Sequence, residues 1–151
     1  MLHIASGTHD IRPFEKAISN SIFTVLPNRF ETELTLFELS DLSCDPTGMA
    51  WGTDNSTLYF SDGHTKNITK CEYDPKKADV SNCTTMVNVA EDISETAVPK
   101  GMATDENNHL WVAIADEEYG SIIEFDTQTS AIISSIGNNK PGLSCAKLST
   151  A

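Results

Sequence analysis

Acidic and histidine side chains occur in three short polar groups, each placed in a predicted loop. The groups contain His9, Asp10, Asp62, His64, Asp116, Glu117 and Glu118. Carboxylate oxygens and imidazole nitrogens bind divalent cations, so loops from three neighbouring elements could share one ion. The alternative interpretation is that each group is an ordinary solvated loop. The choice depends on whether the fold brings the three loops to one place.

Other arrangements that support catalysis or metal binding are missing from the sequence. It has no G-x-S-x-G elbow for a nucleophile and no glycine-rich phosphate loop. Neither a CxxC nor a Cys/His spacing joins the four cysteines, Cys44, Cys71, Cys83 and Cys145, which argues against structural zinc. A disulfide between Cys71 and Cys83 is conceivable on the two arms of one predicted hairpin, but we expect buried free thiols. His109 falls in a predicted turn, where we expect a solvated imidazole.

A repeat of roughly 52 residues determines where these side chains lie. The segment Thr47–Asp74 is matched by Lys100–Asp126, with similar apolar runs and turns. The alignment rests on three pairs: Gly48 with Gly101, Leu58 with Leu110, and Tyr73 with Phe125. A fainter copy lies upstream, because Ser21–Val25 matches Ser121–Phe125 about two periods later. A repeat at this spacing predicts stacked units such as propeller blades.

Each repeat is predicted to form four antiparallel strands. In the first clear copy two short apolar runs, Gly48–Trp51 and Thr57–Phe60, are followed by two further predicted strands, Asn67–Tyr73 and Cys83–Val89. The polar segment Asp74–Asp79 is predicted to join the last two strands. No window shows the apolar stripe of an amphipathic helix. We therefore predict an all-β fold of about three four-stranded blades, with innermost strands at about Gly48–Gly52 and Gly101–Asp105.

Charge and composition restrict the partners and the location. The chain of 151 residues has a formal net charge of −12, which argues against nucleic acid and anionic membrane surfaces, since both require a basic face. No apolar run is long enough to span a bilayer. Met1–Ala5 lacks the basic start and long apolar centre of a signal peptide, so we expect a cytoplasmic protein. Sequons at Asn55, Asn67 and Asn82 are close to the number expected by chance and carry little weight.

Five short segments carry a resemblance to a known family. They are Ala5–Thr8, Gly48–Trp51, Leu58–Asp62, Pro99–Met102 and Leu110–Ala113. The residues in these segments and their order along the chain resemble the regucalcin family, also called senescence marker protein. That family is grouped with gluconolactonases and the luciferin-regenerating enzyme. That family has a six-bladed β-propeller of about twice this length. By the resemblance, residues 2–42, 43–92 and 97–137 form three blades of a single incomplete propeller domain, and residues 142–150 open another.

The resemblance also implies a metal site. In this family one divalent cation, Ca²⁺ or Zn²⁺, lies on the propeller axis and activates water for attack on a sugar lactone. Two ligand positions directly precede the glycine of an innermost strand, where the family has asparagine and an aspartate that also acts as the catalytic acid/base. Here these positions are Thr47 and Lys100, a neutral hydroxyl and an ammonium. We therefore expect degenerate metal and catalytic positions, which leaves the loop carboxylates and histidines as substitute ligands.

Two functions remain open. One is a metal-dependent lactonase that acts on sugar lactones, the reaction that the resemblance implies. The other is a non-catalytic propeller fragment that binds calcium or a partner, and the changed ligand positions favour it. Trp51 and Trp111 are predicted to pack within blades rather than to stack on a sugar. An incomplete ring would expose strand faces such as Thr35–Phe37 and Ile132–Ile133, so we expect self-association.

Overall fold

The computed structural model describes the backbone of Leu2–Ser6, Ser21–Pro27 and Leu34–Glu38, and residues 45–138 apart from 75, 77, 78 and 118. These residues form three antiparallel sheets in chain order. The first sheet contains β1 (Leu2–Ser6), β2 (Ser21–Pro27) and β3 (Leu34–Glu38). The second contains β4 (Pro46–Trp51), β5 (Thr57–Asp62), β6 (Asn67–Asp74) and β7 (Asp79–Asn88). After a short helix, α1 (Val89–Asp92), the third contains β8 (Val98–Thr104), β9 (Leu110–Ala115), β10 (Gly120–Phe125) and β11 (Ile132–Asn138).

The predicted all-β fold is confirmed. Neighbouring strands in each sheet are consecutive in the chain, and the second and third sheets each have four strands, as in a propeller blade. The described sheets do not close into a ring. The residue bounds that we expected for whole blades stay predictions, because residues 39–44 and 139–151 lie outside the described part. None of the described residues belongs to a helix long and apolar enough to cross a membrane.

The innermost strands β4 and β8 lie side by side and join the second and third sheets. Near their starts Thr47 Oγ1 donates a hydrogen bond to Pro99 O at 2.7 Å, and near their ends Thr104 Oγ1 donates to Trp51 O at 2.6 Å. Gly48 permits this approach, because a Cβ there would lie 2.3 Å from the carbonyl oxygen of Lys100. Both strands therefore run in the same direction and start at the same end of the sheets.

The main core lies between these two sheets. Its largest fully buried side chains include Tyr59, Leu110, Ile114 and Phe125. A smaller cluster on the other face of the second sheet contains Leu58, Phe60, Cys71 and Tyr73. Strands β5 and β9 are buried along most of their length, as their continuous apolar runs predicted.

In the third strand of the repeat, the residues that occupy equivalent positions in the two sheets are offset by two from those that the sequence alignment matched. Cys71 pairs with Leu58, whereas Phe125 pairs with Leu110, so Cys71 and not Tyr73 has the position of Phe125. The connection before this strand is longer in the third sheet, and the sequence match did not reveal it. Strand β7 also begins earlier than predicted, because residues 79–81 pair with the end of β6.

Cys71 and Cys83 form a disulfide, with Cα atoms 4.1 Å apart. Our expectation of free thiols for this pair is wrong. A bulge between Lys70 and Glu72 interrupts the regular pairing of β6 with β7 at this point, which brings the two cysteines together. Cys71 is buried and Cys83 is exposed, so the bridge connects the core side of β6 to the outer strand.

Candidate functional site

The two positions predicted to be degenerate metal ligands, Thr47 and Lys100, lie on adjacent innermost strands. Thr47 Oγ1 donates to Pro99 O and lies 2.9 Å from Ser61 Oγ. Ser61 Oγ in turn donates to Lys100 O at 3.0 Å. These hydroxyls therefore link the backbones of two blades. Within the described residues, no carboxylate forms an ion pair with the Lys100 ammonium.

The donor set at this end of the sheets does not fit the divalent cation that the resemblance implied. Hard divalent cations need several anionic or carbonyl oxygens. The Thr47 hydroxyl is neutral and already hydrogen-bonded, and Lys100 adds a positive charge where an anion is required. No catalytic step through such an ion follows from the residues present.

Asp62 has a structural role in the loop between β5 and β6. Its carboxylate is buried, and Oδ1 accepts hydrogen bonds from the backbone N–H groups of Asp45 at 3.2 Å, His64 at 2.8 Å and Thr65 at 3.1 Å. Three such bonds hold the turn closed and satisfy the buried oxygen. The His64 side chain is exposed beside it.

Asp116 likewise organises the loop that follows β9. Its Oδ1 accepts hydrogen bonds from Thr96 Oγ1 at 2.5 Å and from the backbone N–H of Glu117 at 2.7 Å. The hydrogen bond from Thr96 is the main reason why the pKa of Asp116 lies below its ordinary value. Glu117 is exposed.

The strand directions place these loops at the same end of the sheets as Thr47 and Lys100, as the sequence interpretation required. Within the part of the chain that the structure describes, however, Asp62, His64 and Asp116 do not converge on one cation-sized point. Asp10 and Glu118 lie outside the described residues. Cation binding by this set of loop residues stays a prediction.

A cluster that the sequence analysis missed lies at the opposite end of the third sheet. Asp105 directly follows β8, His109 directly precedes β9, and Glu124 lies near the end of β10. His109 Nδ1 is 2.9 Å from Glu124 Oε1 and 3.6 Å from Asp105 Oδ2, and one ligand atom from each residue lies within 4.8 Å of the others. The expectation of a solvated His109 is wrong, because its ring is only 30% exposed and contacts two carboxylates.

Neighbouring groups hold the two carboxylates of this cluster in place. Asp105 Oδ2 accepts a hydrogen bond from Trp111 Nε1 at 3.1 Å, and Asp105 Oδ1 accepts from the backbone N–H groups of Asn107 and His109, both at 2.9 Å. Burial raises the pKa of Asp105, but these hydrogen bonds and the charge of His109 outweigh it, so the pKa lies below its ordinary value. Glu124 Oε2 accepts a hydrogen bond from Ser134 Oγ at 2.5 Å.

The second sheet has a similar turn without the cluster. Asp54 Oδ1 accepts hydrogen bonds from the backbone N–H groups of Ser56 and Thr57. Asp105 Oδ1 likewise accepts from two backbone N–H groups of its own turn in the third sheet. Thr57, the first residue of β5, stands in place of His109. Lys70 stands in place of Glu124, because Lys70 pairs with Tyr59 as Glu124 pairs with Trp111. The sequence alignment had placed Glu72 at the position of Glu124. The sequence alignment therefore hid the exchange of Glu124 for Lys70, because it had the wrong register for the third strand of the blade.

Comparison with known proteins relates the chain to one family. Residues 6–142 match the family model described as the SMP-30/Gluconolactonase/LRE-like region. Regucalcin of Xenopus laevis is 28% identical over 130 residues, which cover 85% of this chain and 40% of that protein. The chain thus spans about 40% of the length of the curated relatives it matches.

Two solved structures show the same fold. A luciferin-regenerating enzyme superposes with a TM-score of 0.68 at 20% identity, over 83% of this chain and 38% of that one. A gluconolactonase of Xanthomonas campestris superposes with a TM-score of 0.59 at 22% identity, over 83% of this chain and 36% of that one. The blades described above therefore correspond to part of the fold of these proteins.

Proposed function

We propose, from the premise that this chain belongs to the SMP-30/gluconolactonase/LRE-like family, that it is a non-catalytic member. It retains the blade scaffold but does not hydrolyse sugar lactones. The observation that supports this proposal is the donor set around Thr47 and Lys100, in which neutral hydroxyls bond to one another and an ammonium replaces a carboxylate. We do not expect this chain to share the activity of its longer relatives.

Electrostatics supports the proposal. At an effective dielectric near 20 and a separation of about 4 Å, each unit of charge product contributes roughly 4 kcal/mol. Exchange of a carboxylate for the Lys100 ammonium changes the sign of this contribution, so a divalent ion would be repelled. The Thr47 oxygen, 2.9 Å from Ser61 Oγ, is too weak a ligand to offset that repulsion.

We expect the purified chain to hydrolyse gluconolactone no faster than the spontaneous reaction. The physical reason is that neither Thr47 nor Lys100 can supply an anionic ligand for the metal that activates water. A pH-stat assay with Ca²⁺ or Zn²⁺, run with and without a chelator, measures this rate. An active gluconolactonase of the family serves as the positive control.

Two single substitutions test the reason for the absence of activity. Thr47→Asn and Lys100→Asp each restore one residue type of the family, and neither alone is expected to produce activity, because the other position stays unsuitable. Chelator-sensitive turnover by the unmodified chain would contradict the proposal. It would direct attention to Asp62, His64 and Asp116 at the same end of the sheets.

We also propose that the chain associates through its outer strand β11, which is an edge of the third sheet. Ile132, Ile133 and Ile136 on this strand are 50%, 46% and 60% exposed. Apolar side chains on an unpaired edge strand favour association. The other face expected to be exposed, Thr35–Phe37, is described only as backbone.

The expected result is a dimer or larger species in sedimentation velocity at tens of micromolar. Ile133→Lys combined with Ile136→Lys should shift the chain to a monomer, because it removes two of the exposed apolar side chains through which copies associate. Ser135→Lys, on the same strand, is the matched control, since it adds a charge without removing an apolar group. A compact monomer of the unmodified chain that melts cooperatively would contradict this proposal.

The disulfide bears on where the chain functions. Cytosolic thiols are kept reduced, whereas disulfides persist in oxidising compartments. The Cys71–Cys83 bridge therefore favours an oxidising compartment and weighs against the cytoplasmic location expected from the sequence. The cytoplasmic location stays a prediction.

A further inference from the structure

We propose that Asp105, His109 and Glu124 form a binding site for a divalent transition metal of the zinc class. One ligand atom from each residue lies within 4.8 Å of the other two. His109 Nδ1 lies close to Asp105 Oδ2 and to Glu124 Oε1, which we take as the ligand atoms. They come from the turn between β8 and β9 and from the neighbouring strand β10. The residues that correspond to the family's metal position lie at the other end of the sheet, so this site is a separate one.

The distances suit a small tetrahedral ion. With metal–ligand bonds near 2.0 Å, the ligand atoms of a tetrahedral site lie about 3.3 Å apart. The separation of His109 Nδ1 from Glu124 Oε1 is 2.9 Å, and its separation from Asp105 Oδ2 is 3.6 Å, so the two values bracket that spacing. Small side-chain rotations would bring all three atoms onto one ion and leave one position for water.

The donor types select the class of ion. One imidazole nitrogen with two carboxylates suits zinc, cobalt or nickel, whereas Ca²⁺ prefers six to eight oxygens. A hydrogen bond between His109 Nδ1 and Glu124 requires a proton between these atoms, and the ion would take the place of that proton. Two carboxylates and a dication would then leave the cluster with no net charge.

Surrounding groups orient the ligands as the outer shell of a metal site does. Trp111 Nε1 donates to the same Asp105 oxygen that would bind the ion, and Ser134 Oγ donates to the second oxygen of Glu124. These side chains are partly buried: the side chain of Asp105 is 19% exposed and that of Glu124 is 12% exposed. A remaining open side at His109 gives an ion access from solvent.

Titration of the metal-free full chain with Zn²⁺ by calorimetry, and with Co²⁺ by visible absorption, tests the proposal. We expect a single specific ion, and we expect Co²⁺ to quench the fluorescence of Trp111, whose indole contacts Asp105. His109→Thr introduces the residue found at this position in the second sheet, so the turn should be retained. It should weaken binding at least about tenfold and remove the quenching.

Two further variants make the result decisive. Glu124→Gln keeps the size of the ligand but removes its charge, and it provides the same test if His109→Thr does not fold. Glu72→Gln removes an exposed carboxylate of the second sheet, the residue that the sequence alignment had placed opposite Glu124, and should leave binding unchanged. Absence of Zn²⁺ binding by the unmodified chain, or unchanged binding and quenching in both cluster variants, would overturn the proposal. The lactone assay does not depend on this result, so the two proposals can fail separately.

Discussion

Replacement of both Cys71 and Cys83 by alanine is expected to lower the free energy of unfolding by about 3 kcal/mol. The bridge spans a sequence separation of 12 residues, and its loss increases the conformational entropy of the unfolded chain. It also frees the outer strand β7 from the buried side of β6. Urea unfolding followed by circular dichroism, with the unmodified and doubly substituted chains side by side, measures the change.

The reduced form of the unmodified chain is the control for this experiment. It keeps both sulfur atoms, so its stability isolates the effect of the cross-link from the loss of the buried Cys71 side chain. We expect reduction to account for most of the change seen in the double variant. Equal urea midpoints for the oxidised, reduced and substituted chains would show that the bridge does not constrain β6 and β7.

The fold could be predicted because the repeat is a local property of the sequence. Leu58 and Leu110 begin the same kind of apolar run after the same kind of turn, and both runs became buried second strands of a blade. Gly48 and Gly101 were matched as starts of inner strands, and the structure places these glycines next to each other on the adjacent strands β4 and β8. Each of these inferences needed only neighbouring residues.

The features that the sequence did not reveal depend on register between strands. Leu58 pairs with Cys71 and not with Tyr73, and this register follows from the length of the connection between β5 and β6. The alternation of apolar and polar residues in the sequence does not reveal that register. The same shift puts Lys70, and not the aligned Glu72, at the position in the second sheet that Glu124 has in the third. A residue's type suggests which chemistry it can perform, but register decides which residues meet.

The role of Asp62 shows a second limit. An aspartate in a loop near a predicted axis is chemically a reasonable cation ligand. The structure instead directs its Oδ1 to three backbone N–H groups of its own loop and of the segment before β4. Such bonds arise from backbone conformation, and the sequence alone could not decide between a ligand and a turn-forming carboxylate.

Phe125→Ala is expected to lower the free energy of unfolding by about 3–5 kcal/mol. The side chain is 1% exposed and belongs to the core between the second and third sheets, where it pairs across the strand with Leu110. Its removal leaves a cavity that the surrounding strands fill only in part. Since small domains are stable by about 5–15 kcal/mol in total, much of this variant should be unfolded in mild urea.

Two substitutions separate the core effect from a general effect of the third sheet. Phe125→Leu keeps most of the buried volume and should cost less than about 1.5 kcal/mol. Ile132→Ala removes an apolar side chain that pairs with Phe125 across β10 and β11 but is half exposed, so its effect should be small in dilute solution. Equal losses for Phe125→Ala and Ile132→Ala in dilute solution would contradict the described packing. A loss for Ile132→Ala that grows with protein concentration would instead identify β11 as the surface through which copies associate, because only an associated chain buries that side chain.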